Sequence, residues 1–225
     1  MGSAIGGALP LAVGVALSPV PIIAVVLMLT TPRAGVNGPL FVVGWLAGLA
    51  VVGAIVLCVA GPAGASSAGA PATWVSWVKM ALGALLLAVA ARQFHRRPRA
   101  GAQAPLPKWM AKLDGIQPLA VCGLAALLAG ANPKNLLLAV AAAASIAQTG
   151  VSGTDQAVAY LVFALIGTLG VGAPVGIYFA LGPRADTVLG GLKDWMGEHN
   201  AVIMSVLCLV IGAKLIGDAI SGLTG

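Results

Sequence analysis

The sequence predicts an all-α integral membrane protein: six transmembrane helices forming two inverted-topology three-helix repeats, with helices 1 and 4 broken at Pro motifs. Three observations carry this. The chain is 60% apolar and only 8% charged, with a mean hydropathy of +1.02, whereas soluble domains are about a quarter charged. Its apolar residues fall into six stretches, and a spanning helix takes about 20 of them. Two stretches are interrupted by proline at equivalent places, Ser18-Pro19-Val20-Pro21 and Asn132-Pro133-Lys134-Asn135. Six spans use up the 225 residues, leaving a single transmembrane domain: repeat 1 about 1–94, a loop about 92–116 and repeat 2 about 117–225. Nothing outside the bilayer is large enough to house an enzyme.

Helix 1, near 5 to 30, lacks a basic leader and reads as a retained span rather than a cleaved signal. Pro19 and Pro21 carry no N–H and disfavour helical geometry in the residue before them, so carbonyls around Val15 to Leu17 are expected to lose partners and face a cavity. Ser18 can bond that freed backbone or a substrate; a plain kink of a packed helix is the alternative. Helix 2, near 38 to 60, follows Thr31-Pro32-Arg33 and carries Gly44-xxx-Gly48, a spacing that allows close helix packing within the chain or in a homo-oligomer. Helix 3, near 74 to 91, holds Lys79 beside Trp74 and Trp77, where snorkelling to the interface competes with a gate role.

Helix 4, near 117 to 149, contains the stronger break. Asn132 reads as an N-cap and Pro133 as the first residue of a new half-helix, leaving free N–H groups and a positive dipole end at membrane depth. Lys134 adds a full charge, so dipole, amides and ammonium together suit a carboxylate, phosphate or sulfate. A structural brace to carbonyls of helix 1 is the competing role for Lys134, and Asn135 can donate or accept in either case. Helix 5, near 157 to 181, repeats the small-residue spacing at Gly172-xxx-Gly176. A loop from Gly182 through Asn200 leads to helix 6, near 200 to 222, where Lys214 and Asp218 lie four apart and can neutralise each other or relay a proton.

Basic residues set the orientation. Loops after helices 1, 3 and 5 hold nine of the twelve Lys and Arg: Arg33, then Arg92, Arg96, Arg97, Arg99, Lys108 and Lys112, then Arg184 and Lys193. The positive-inside rule therefore puts both termini outside and the central basic loop in the cytoplasm. That charge suits solvent and anionic head groups, and no interleaved aromatic platform supports nucleic acid as a partner. Around Trp109, Met110 and Leu113, and again from Leu192 to Trp195, short amphipathic segments can lie on the leaflet.

Internal echoes support the repeat. Val59-Ala60-Gly61-Pro62 matches Ala180-Leu181-Gly182-Pro183, and Leu82-Gly83-Ala84 matches Ile211-Gly212-Ala213. Three spans per unit is odd, so the second copy enters from the opposite side, an architecture found chiefly in transporters.

The segments Ser18-Pro-Val-Pro-Ile22, Thr31-Pro-Arg33, Gly44-Trp45 and Ala131-Asn-Pro-Lys-Asn-Leu136 resemble the actinobacterial GAP/Sap family, the peptidoglycolipid- or sulfolipid-addressing proteins of the lysine-exporter superfamily. The resemblance covers essentially the whole chain. Related amino-acid exporters show a Pro-Gly-Pro-type segment in helix 1, where this chain has Val20 between its prolines, a departure that counts against small amino acids. The resemblance implies export of an anionic cell-envelope lipid or small metabolite across the bacterial plasma membrane. An amino-acid or ion exporter, and a non-transporting scaffold that docks lipid-export machinery through the basic loop, are the alternatives.

Other chemistries lack their parts. Cys58, Cys122 and Cys208 stand singly, which suits buried packing residues rather than a thiol–disulfide carrier. His95 and His199 have no metal-ligand neighbours at useful spacing. Neither a phosphate-binding Gly loop, a carboxylate pair nor a Ser/His/Asp set is present, so no cofactor is expected and energy must come from a gradient or a partner.

Overall fold

Proline punctuation sets the helix order. In the computed structural model, which describes residues 1–60, 66–67, 70–71, 73–95 and 116–224, α1 (Gly2–Ala16) stops before Ser18 and α2 (Pro19–Leu29) begins on Pro19. Ser18 is extended at φ −86, ψ 107, as the residue before a proline must be, and the two helices meet at 51°. The same device separates α5 (Pro118–Gly130) from α6 (Pro133–Ala147): Asn132 is extended, its side chain caps the Lys134 N–H at 3.2 Å, and the bend is 66°. Between the pairs run α3 (Ala34–Ala60) and α4 (Thr73–His95), with a two-residue ladder of β1 (Ser66–Ser67) and β2 (Ala70–Pro71) between them. After α6 come α7 (Gly153–Leu181), a 3-10 turn at Gly182–Arg184 and α8 (Ala185–Thr224).

Ala34–Val59, Thr73–His95 and Gly153–Thr224 are long and apolar enough to cross a membrane, and the two bent pairs would bring the number to five. The chain is thus a multi-pass membrane protein. The third stretch turns at Gly182, whose φ of 53 ends the α7 ladder. The loop expected from Gly182 to Asn200 is largely helix instead. Pro183 starts a new turn, nothing after it breaks the ladder, and Leu189 and Met196 bury one face while Trp195 stays exposed. At about 1.5 Å per residue, the 40 residues of α8 run about 60 Å, twice the hydrocarbon thickness.

The second halves of the broken pairs occupy the centre. Nine of the eleven residues of α2 and ten of the fifteen of α6 are buried, against three of thirteen in α5. A helix apolar all round belongs inside other helices. Around this centre, α1 packs on α7 as α5 packs on α3, and α2 packs on α8 as α6 packs on α4; α3 meets α7 and α4 meets α8.

Small residues make these crossings close. A Cβ on Gly44 would overlap the Cys122 carbonyl and one on Gly48 the Ala126 backbone, so that pair is the α3–α5 seam. Gly83 and Gly212 answer each other: a Cβ on either would stand 2.9 or 3.0 Å from the other's carbonyl. In α7 the close approach falls at Gly170, against the Ala16 carbonyl, whereas Gly172 and Gly176 meet nothing within 4 Å. The spacing there is not an internal interface. Cys58, expected to be buried, is exposed on α3, Cys122 is half-buried and Cys208 buried.

Gly44→Leu and Gly83→Leu should each lower stability by about 1–3 kcal/mol, since overpacking forces two backbones apart. Thermal unfolding in detergent should show both midpoints falling while Gly172→Leu matches the wild type; equal losses in all three would remove the packing assignment.

Candidate functional site

Each break leaves carbonyls without their usual donors, and the two breaks are brought together. Leu128 would bond the amide of residue 132, but Asn132 is extended and outside the ladder. Asn135 Nδ2 donates to the Leu128 carbonyl in its place at 3.2 Å. Asn135 Oδ1 then accepts from Ser18 Oγ at 2.6 Å, and Ser18 Oγ accepts from Lys134 Nζ at 2.7 Å. A relay thus runs from the ammonium through the helix 1 break and back to the helix 4 break, over sequence separations of 116 and 117 residues.

The expectation at Val15 to Leu17 needs correction. The Val15 carbonyl accepts from the Ser18 N–H at 3.2 Å, and the Ala16 carbonyl is pressed onto Gly170 rather than turned to a cavity. Pro19 and Pro21 are buried in the core, so they shape the turn rather than line an opening. Pro133 is exposed, on the face of α6 opposite Lys134 and Asn135.

The relay is closed. Ser18 and Lys134 are each 3% exposed and Asn135 is fully buried. An ammonium has three protons to give, and among the described residues Lys134 gives one, to a hydroxyl rather than to the backbone of α1. No described carboxylate pairs with it; the ionisable group facing it is the Cys208 thiol. The arrangement therefore holds a positive charge and two further N–H donors, the chemistry that suits an anion.

Lys79 forms a second polar cluster. It does not snorkel to the surface but is buried, donating to Gln148 at the end of α6, within electrostatic reach of Asp218 and Lys214. Those two pair at 2.6 Å as their spacing implied. Gln148 was not foreseen, because a lone glutamine at the end of an apolar stretch carries no signal of its distant partner. The same is true of Trp45 and Ser76, buried with side-chain polar atoms unpartnered among the described residues. His199 bonds the Trp195 carbonyl and stacks on its ring, while the amphipathic segment at Trp109, Met110 and Leu113 and the basic residues 96–112 lie outside the described residues.

Cavities open away from the relay. One of about 810 Å3 lies between Thr30, Thr31, Tyr178 and Asp186. A second, about 400 Å3, sits between α4 and the first turn of α6, and a third, about 550 Å3, between α3 and α5.

Ser18→Ala removes the acceptor for a buried ammonium and the donor to Asn135, and should cost about 1–3 kcal/mol. Replacing the charge as well, in Ser18→Ala with Lys134→Met, should recover most of that loss in denaturation; additive losses would separate the two residues.

No curated protein and no solved structure matches the chain. The family model of Sap, sulfolipid-1-addressing protein, matches residues 8–221, from α1 to α8 and across both breaks. The chain belongs to the Sap, sulfolipid-1-addressing protein, family.

Proposed function

We propose that this protein is a secondary-type exporter, moving an anionic cell-envelope lipid or small anionic metabolite across the plasma membrane by alternating access. The observation that carries the reading is Lys134: a nearly buried ammonium at a helix N-terminus, with two protons and its charge unmatched among the described residues. Inside a bilayer such a group is costly and marks a pathway. The family's name, which refers to addressing of sulfolipid-1, is compatible with a membrane exporter.

The packing favours six spans in two inverted repeats. Counting each bent pair as one span and dividing the last stretch at Gly182 gives six. Exchanging the halves carries the α1–α7 packing onto α5–α3, α2–α8 onto α6–α4, and Gly83 onto Gly212. Rocking of one repeat against the other would open the relay to alternate sides. The distribution of basic residues supports an orientation with both termini outside. Lys79, Lys214 and Asp218, toward the outer ends of α4 and α8, are then the gate on the exit side. An amino-acid or ion exporter is the second reading, favoured by how small and closed the polar relay is.

Lys134→Met should abolish transport of a fluorescent anionic lipid in reconstituted vesicles while leaving the unfolding midpoint at or above the wild-type value, because a buried charge is exchanged for an apolar chain. Full retained transport would overturn the assignment.

A further inference from the structure

The two readings above differ in one structural demand: a lipid needs a lateral opening toward the bilayer, an amino acid does not. The cavity of about 400 Å3 between α4 and α6 meets that demand. On α4 its wall is Leu85, Ala88 and Arg92, one helical face at i, i+3 and i+7; on the other side it is Ala131, Pro133 and Leu136, the break itself and the first turn of α6. Leu85 and Leu136 are 52% and 36% exposed, so the groove opens sideways. The bend explains why it exists. The bend is 66°, and α5 packs on α3 rather than on α4, so beside the break α4 keeps α8 on one side and gains no close packing from α5 on the other.

We infer that this groove holds the acyl chain of an anionic lipid drawn from the cytoplasmic leaflet, with Arg92 binding its head group. Charge and lining select this occupant. From Leu85 to Arg92 the groove runs about 10 Å along α4, its wall apolar up to one exposed cation at the end. Arg92 stands at the end of the groove nearest the C-terminus of α4, is exposed, and forms no ion pair with the described residues. An arginine at that depth attracts an acidic head group while the apolar wall above it takes the tail. Residues 133–137 then serve two sides of one turn: Pro133 and Leu136 face the groove, and Lys134 and Asn135 face the relay. A head group leaving Arg92 along the groove arrives at the turn that carries Lys134.

The inference rests on the exporter reading for its purpose, and on the groove alone for its place. The full chain, reconstituted in vesicles containing phosphatidylglycerol with a photoreactive group in its chain, should be labelled within 85–92 and 131–137. Labelling should exceed that from the matching phosphatidylcholine probe several-fold. Arg92→Gln should erase that preference, and Ala88→Trp, at an exposed position, should cut groove labelling several-fold with either probe. Labelling spread evenly over lipid-facing positions such as Leu165 and Leu209, or a preference unchanged in Arg92→Gln, overturns it. Lys134→Met separates the two claims: it should stop transport and leave groove labelling intact. Transport that depends on Lys134 without groove labelling would sink this inference and spare the exporter.

Discussion

Backbone that leaves the helical ladder at membrane depth must find partners inside the protein, because each unpaired group costs several kcal/mol in hydrocarbon. Two such breaks would be a liability in separate places. Here they meet, and Asn135 gives the Leu128 carbonyl the donor it lost while Ser18 ties Asn135 to Lys134. One short relay thus satisfies polar atoms from both halves of the chain. It fixes how deeply α1 and α6 approach, and through them where α2 lies.

That approach is possible because the residues around it are small. The stretch Ala141 to Ala144 in α6 is fully or almost fully buried, and the glycines at 44, 48, 83, 170 and 212 let backbones touch where a methyl group would not fit. In lipid, helices gain little from hiding apolar surface, so close van der Waals packing has to supply the cohesion. Lys79 and Gln148, and Tyr160 bonded to the Leu49 carbonyl at 3.0 Å, add polar ties between helices.

Much of this was legible in the sequence because proline acts locally. The breaks at Ser18 and Asn132 follow from the missing N–H and the clash with the preceding residue, and both fall where the motifs put them. Lys134, isolated in an apolar stretch, announces itself by its cost. Partners were less visible. Ser18 and Asn135 were each noticed, but that they bond each other depends on a bend angle no local pattern encodes. Gly172 and Gly176 have the spacing of an interface and lack its place, since helix rotation decides which face of α7 meets α1. The segment from Ala185 to Asn200 differs in the other direction: the turn chemistry that opens at Gly182-Pro183 suggests a loop through Asn200, yet an amphipathic helix needs only one apolar stripe, and Leu189 and Met196 provide it.

On the exporter reading proposed above, a closed relay and an anionic substrate are compatible for an energetic reason. A ligand shifts an equilibrium only by the difference in its affinity for the two states. In the closed state Lys134 is 3% exposed and leaves an incoming anion no approach, so an anion would bind the opened state almost exclusively. On that reading, opening would remove the bond from Lys134 to Ser18 and that from Ser18 to Asn135, whereas the Asn135 bond to Leu128 lies within one broken pair and would survive. Hydrogen bonds involving a charged group contribute about 1.5–3 kcal/mol each, so one anion accepting the two free ammonium protons offsets a loss of the same size.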